Sequence, residues 1–166
     1  MAQVSVKLSE TPLAYDLPGA RKNLGVVALA TDQTCERDFA RIFPMEQVGV
    51  FVNRVAFSNP TTPQNLRNMG PLISDAAALI LPSEPLEVIC YSCTSASVVM
   101  GDTEIEDFIH QVRPNVPVVT PSGSARQAFA ALNVTKISVL TPYLVETSQL
   151  MAHYFERHGL EIIRFD

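Results

Sequence analysis

The sequence predicts an α/β protein: a parallel sheet flanked by helices, followed by the first part of a second similar domain. Three observations lead there. Residues 24–30 (LGVVALA) form an unbroken apolar run, the mark of a strand buried on both faces. Short β-branched runs then alternate with longer amphipathic stretches, the β-α-β-α rhythm of a sheet built from parallel strands. The same rhythm continues beyond residue 117, which divides the chain into an arm (1–23), a first α/β domain (24–116) and a partial second one (117–166).

The elements follow in order. Residues 1–23 are polar and carry Pro12 and Pro18, hence the arm. After the strand at 24–30, residues 35–43 read as a short helix stopped by Pro44, and 48–57 (VGVFVNRVAF) as a second strand. Thr62 before Pro63 is a helix start, a capping hydroxyl followed by proline in the first turn. Gly70–Pro71 interrupts that pattern. Leu72, Ile73, Ala76, Leu79 and Ile80 resume it at helical spacing until Pro82 and Pro85. Residues 86–91 are the third strand. Thr103 and Glu106 have the spacing of a capping box, ahead of a face made by Ile105, Phe108, Ile109 and Val112. The remainder reads as strand 116–120, helix 124–132, strand 136–141, helix 145–158 closed by Gly159, and strand 160–165. A sheet that stops on a buried-type strand reads as cut short, and an uncovered edge of this kind predicts self-association.

Composition narrows the function. The chain has 166 residues, 47% of them hydrophobic and 17% charged, so a packed core is expected. Its net charge is −5 and its twelve Lys and Arg are scattered, which argues against a nucleic-acid partner. No apolar stretch approaches the roughly 20 residues that span a bilayer, and the first residues lack a signal peptide's charged and apolar regions. Three cysteines, an odd number without framework spacing, fit reduced thiols and a cytoplasmic location. His110, His153 and His158 all fall on helices and form no metal-ligand spacing with the cysteines. There is no glycine-rich dinucleotide or phosphate-loop motif, and no cofactor is expected.

Chemistry concentrates at strand ends. In an open α/β sheet, ligands bind beyond the carboxyl ends of the strands. Cys93 stands where the third strand gives way to Thr94 and Ser95, and the free amides of a following helix would lower its pKa and receive an anion. Thr94 and Ser95 offer hydroxyls to a carboxylate, or caps to the helix. Cys90 and Cys93 have the C-x-x-C spacing of a redox dithiol. However, three residues of extended chain cover about 10 Å, whereas a disulfide needs Cα atoms within roughly 7 Å. Cys90 therefore reads as core. Asp32, Gln33 and Thr34 follow the first strand. Gln33 and Thr34 can donate to a carboxylate, while an ionised Asp32 cannot and equally suits helix capping. Asn53 on the second strand, Ser122 beside Gly123, and Tyr143 after the strand at 136–141 complete the substrate-binding candidates.

Three stretches carry a resemblance. Residues 25–36 (GVVALATDQTCE), 91–101 (YSCTSASVVMG) and 138–146 (SVLTPYLVE) resemble the substrate loop, the first cysteine motif and the T-P-Y turn of the aspartate/glutamate racemase superfamily. The similar branch is that of the maleate isomerases, arylmalonate decarboxylases and racemase-like proteins of ectoine utilisation. The resemblance implies a flavodoxin-like racemase domain and a cofactor-independent racemase or isomerase acting on a small carboxylate. It implies Cys93 as the first-domain thiol, moving a proton or adding to an alkene carbon. It also implies a second thiol from the second domain, which this sequence does not supply, so this chain alone is expected to be inactive. Two other readings stand beside it: a non-catalytic carboxylate-binding or assembly domain, and a C-x-x-C redox protein.

Overall fold

The computed structural model describes residues 5–12, 22–44 and 46–166, so most of the expected arm at 1–23 lies outside the described residues. Four strands form one parallel sheet in the order β2-β1-β3-β4: β1 (Lys22–Leu29), β2 (Val48–Val55), β3 (Val88–Ser92) and β4 (Val118–Val119). A second parallel pair joins β5 (Lys136–Val139) to β6 (Glu161–Phe165). Since β4 pairs with β3, the change of sheet falls after Val119.

The sheet's two faces bury different residues because side chains alternate along a strand. Leu24, Val26 and Ala28 of β1, with Val88 and Cys90 of β3, face α1 (Cys35–Ile42) and its Phe39. Val27, Ile89 and Tyr91 point the other way, toward α2 (Pro63–Arg67), α3 (Gly70–Ala78), α4 (Thr94–Met100) and α5 (Asp102–His110). Gly25 lies on this second face, where a Cβ would already meet Ile89 Cγ1 at 3.1 Å. Two helices then flank the second pair: α6 (Pro121–Ala131) and α7 (Val145–Arg157).

α4 serves both cores. Its Ala96 and Val99 belong to the first, while Val98 packs with Ile137, Met151, Tyr154, Phe155 and Leu160 in the second. No backbone ladder joins the two sheets, so side chains hold them together. Thr147 Oγ1 on α7 donates to the Thr61 carbonyl at 2.7 Å. Tyr154 Oη donates to Asp102 Oδ2 at 2.7 Å.

Most caps agree with the sequence reading. Thr62 accepts from the Asn65 amide, and Gly159 takes φ = 84° after α7. Two do not. α5 begins at Asp102 behind Gly101 (φ = 92°), which leaves Thr103 inside the helix and the expected capping box unformed. α6 begins at Pro121, ahead of the start expected at 124, and its cap is Thr120, which accepts from the Gly123 amide at 3.0 Å.

Candidate functional site

The strand order 2-1-3-4 has its switch point between β1 and β3, where successive connections leave toward opposite faces and a crevice opens at the carboxyl ends. The loop after β1 and the turn after β3 border this crevice. Cys93 is the N-cap residue of α4, in extended conformation. Ser92 lines an open cleft of about 260 Å³ with Asp32, Thr34 and Cys35, whereas Thr94 lines a second of about 320 Å³ with Tyr143, Thr141 and Phe155. Cys93 lies between the two clefts and lines neither. It is only 5% exposed.

That burial corrects the expectation of a depressed thiol pKa. Burial pushes the Cys93 thiol up. The amides of Ala96 and Ser95 and the hydroxyls of Ser95 and Tyr91 pull it back only in part. A helix of about two turns cannot offset desolvation this complete. The thiol therefore keeps its proton at neutral pH. Its sulfur is 3.7 Å from Ser95 Oγ. Tyr143, brought in from the end of β5, stands close enough to Cys93, Ser95 and Thr94 for its own ionisation to respond to all three. Burial and the Cys93 charge push the phenol up, and hydrogen bonds from the two hydroxyls act the other way.

The remaining candidates separate into two groups. At the crevice, Asp32 Oδ1 accepts from the amides of Thr34 (2.8 Å) and Cys35 (3.0 Å). Burial would raise its carboxyl, but these bonds outweigh it and hold the group below the usual range. Asp32 is thus the effective cap of α1. Thr34 spends its hydroxyl on Asp32, and Gln33 is exposed beside them. Away from the crevice, Asn53 donates to the Ala76 carbonyl at 3.0 Å and ties β2 to α3. Ser122 is 1% exposed and donates to Ser97 Oγ at 2.8 Å and to Asp102 Oδ1 at 3.2 Å. Both side chains are engaged in bonds within the fold; a strand-end position in sequence does not say which way a side chain turns.

The thiols separate as well. Cys90 faces α1 while Cys93 packs on the opposite face of the sheet, and all three cysteines are free. A Cys90–Cys93 redox pair is excluded by this geometry. Cys35 donates to Glu36 Oε2 at 3.2 Å and is pushed up to about 12, first by burial and then by Glu36 and Asp32. His110 contacts the Val116 carbonyl and His158 that of Tyr154, and among the described residues no group of three His, Cys, Asp or Glu could hold a metal. No helix among them is long and apolar enough to cross a membrane.

Two residues escaped the sequence reading. Arg54, at the end of β2, donates to the carbonyls of Leu29 (2.8 Å) and Asp32 (2.7 Å) and pairs with Glu36, so it pins the loop after β1. Tyr91, two residues before Cys93, shares its face of β3. The period of two was the available signal.

A parallel sheet flanked by helices on both faces defines the fold class, and the comparisons agree with it. No protein-family model matches the chain. It is 24% identical over 127 residues to the maleate isomerase of Alcaligenes faecalis, covering 72% of this chain and 49% of that protein. Its fold superposes on the Nocardia farcinica maleate cis–trans isomerase with a TM-score of 0.73, at 20% identity, covering 87% of this chain and 62% of that one. Unliganded arylmalonate decarboxylase gives 0.67 at 17% identity, with 87% and 60% covered. These similarities support the aspartate/glutamate racemase superfamily, within it the maleate isomerase and arylmalonate decarboxylase branch. The chain spans about half the length of the Alcaligenes faecalis relative.

Proposed function

We propose that this chain contributes one face of a cofactor-independent isomerase or racemase site for a small carboxylate, with Cys93 as its proton-carrying thiol. The observation that carries the reading is the convergence of Cys93, Thr94 and Ser95 at one strand end with Tyr143 from another. Three hydroxyls around a sulfur can hold a carboxylate by donating to it, and the loop at Asp32, Gln33 and Thr34 borders the same crevice. Burial keeps Cys93 protonated, which favours proton donation over attack by a resting thiolate. In that step the S–H bond breaks, a C–H bond forms on the ligand, and the electron pair stays on sulfur. The opposite face needs a second acid or base. Neither Cys35 nor Cys90 can supply it, because one sits beside Glu36 and the other faces α1. We assign that face to a segment outside this chain, and with it the division into a first domain and part of a second.

A second reading has its own support. Cys93 lines neither cleft, which suits a domain that binds a carboxylate without turning it over. Maleate tests both. Calorimetry should show binding that weakens when Tyr143→Phe and Thr94→Ala are introduced, and bound maleate should slow iodoacetamide labelling of Cys93. Because the opposite face is assigned outside this chain, no conversion is expected from the chain by itself: protection of Cys93 by bound maleate supports the catalytic reading, and binding that the hydroxyl variants weaken without such protection supports the second. Binding unchanged in both hydroxyl variants, with no protection of Cys93, sinks the site itself.

A further inference from the structure

Tyr91 carries a group for which the fold has no use. Its side chain is 0% exposed, yet its hydroxyl makes no hydrogen bond of ordinary geometry among the described residues. Buried hydroxyls are paired in the great majority of cases, and an orphan marks strain, an unseen partner or a task. Phenylalanine would fill the same volume without stranding a donor. The orphan also has a direction. Tyr91 and Cys93 lie two residues apart at the end of β3, on the same face of the sheet and in the same core. The phenol and the thiol share one buried core at the end of β3, and charge on Cys93 raises the cost of charge on Tyr91.

We propose that Tyr91 is the built-in donor for the Cys93 thiolate: its O–H is left unpaired while the thiol holds its proton and is paired when that proton leaves. This rests on Cys93 being the working thiol proposed above. A neutral S–H is a weak acceptor, so the resting site gains little from the phenol. When the S–H bond breaks and the electron pair remains on sulfur, Tyr91 donates without transferring its own proton. The phenol already stands on the same face of the same core, so no large reorganisation is needed at that moment, which is where a dipole held nearby beforehand acts most strongly. The resting orphan is then intelligible as the ground-state side of a device that works only in the ionised state.

Other groups around the sulfur do not take this role. Ser95 donates from α4 itself, and Tyr143, the other titratable group facing Cys93, reaches it from the crevice side. On the helices packed against α4, Arg67 is held at the Val99 carbonyl, and Asp102 and Arg126 are engaged with each other and with Tyr154. Cys35, Glu36 and Asp32 belong to the α1 side of the sheet.

The test is Tyr91→Phe, read by site-resolved iodoacetamide labelling of Cys93 from about pH 7 to about pH 11, with thermal stability measured in parallel. Loss of a donor to a charged group should move the labelling midpoint up by about one to two pH units. Below the midpoint, labelling should slow by about three- to fourfold per unit, because a more basic thiolate is also the better nucleophile. The melting temperature should stay level or rise by up to about 4 °C, since an unpaired buried hydroxyl has been removed. Tyr154→Phe is the control: it should cost stability and leave the Cys93 profile in place. An unshifted midpoint in Tyr91→Phe, or no labelling of Cys93 in either protein across the range, overturns the proposal. So does a fall in melting temperature like that of the control with no shift. Because labelling needs no turnover, a shifted midpoint with no maleate protection and with binding indifferent to the hydroxyl variants would sink the carboxylate site and leave this inference standing.

Discussion

Tyr154→Phe removes one oxygen and tests how the two sheets are held together. Tyr154 is 3% exposed, and its hydroxyl donates to Asp102 Oδ2 at 2.7 Å, a bond from α7 to the first turn of α5. A hydrogen bond to a charged group contributes about 1.5–3 kcal/mol. The lower half of that range applies, for two reasons. The Asp102 side chain is 29% exposed, so solvent already screens it. The substitution also does not strand it, because Thr120 and Ser122 still donate to Oδ1 and Arg126 stands 3.8 Å from Oδ2. A loss of about 1.5–2 kcal/mol corresponds to a fall of roughly 3–8 °C in melting temperature for a chain of this size. Differential scanning calorimetry reads it directly. A fall of less than about 1 °C would show that the bond contributes nothing net, and that Thr147 on the Thr61 carbonyl and the apolar packing of Val98 against α7 dock the second unit without it.

Two further outcomes are expected. Gly70→Ala should cost about 1–3 kcal/mol in a urea titration, because the added Cβ would come 2.6 Å from Phe108 Cε2 and 2.7 Å from Cζ, and Phe108→Leu, which lacks those ring atoms, should recover part of the loss. Alkali should destabilise the fold: burial pushes Cys90 from 9.0 to about 11, and burial followed by Glu36 and Asp32 pushes Cys35 to about 12. The unfolded chain therefore releases both protons first, so stability is complete below about pH 9 and declines between there and about pH 11–12. Urea midpoints at about pH 8 and about pH 10.5 measure the decline, which Cys90→Ala should make shallower.

The sheet was legible because its signals are local. A seven-residue apolar run, a β-branched stretch and the Thr62–Pro63 pair each state their structure within one turn or one strand, and β1, β2 and α2 fall where those signals put them. Cys93 at a strand end and Tyr143 at another were legible for the same reason. What was not legible depended on direction or distance. The bonds that engage Asn53 with the Ala76 carbonyl and Ser122 with Ser97 have no local signal. The Cys93 thiol was misjudged because helix amides can be counted from sequence, whereas the enclosure around a sulfur depends on a core that draws residues from Val27 to Ile109. The Asp102–Tyr154 bond joins residues 52 apart and has no local signature at all.

That last bond bears on the site more than its distance from Cys93 suggests. Tyr143 and Cys93 belong to different sheets with no shared ladder, so no backbone register fixes one against the other. Their separation is set by how α7 sits on the first unit, through Thr147 on the Thr61 carbonyl, Tyr154 on Asp102, and Val98 in the second core. From Asp102 a chain of hydroxyls returns to the cysteine's own helix: Ser122 donates to Asp102 and is within 2.8 Å of Ser97 Oγ, and Ser97 donates to the Thr94 carbonyl at 2.9 Å. The residue after Cys93 is thus held by the same network that docks the unit carrying Tyr143. Loosening the network should leave the sulfur's own donors, Ser95 and Tyr91, where they are, since both are set by α4 and β3. It should instead widen the gap that a carboxylate must bridge between Thr94 and Tyr143. Tyr154→Phe is therefore expected to weaken maleate binding while sparing the pH profile of Cys93 labelling. A variant that moves the profile and spares binding would show that the two sheets are positioned by something other than this network.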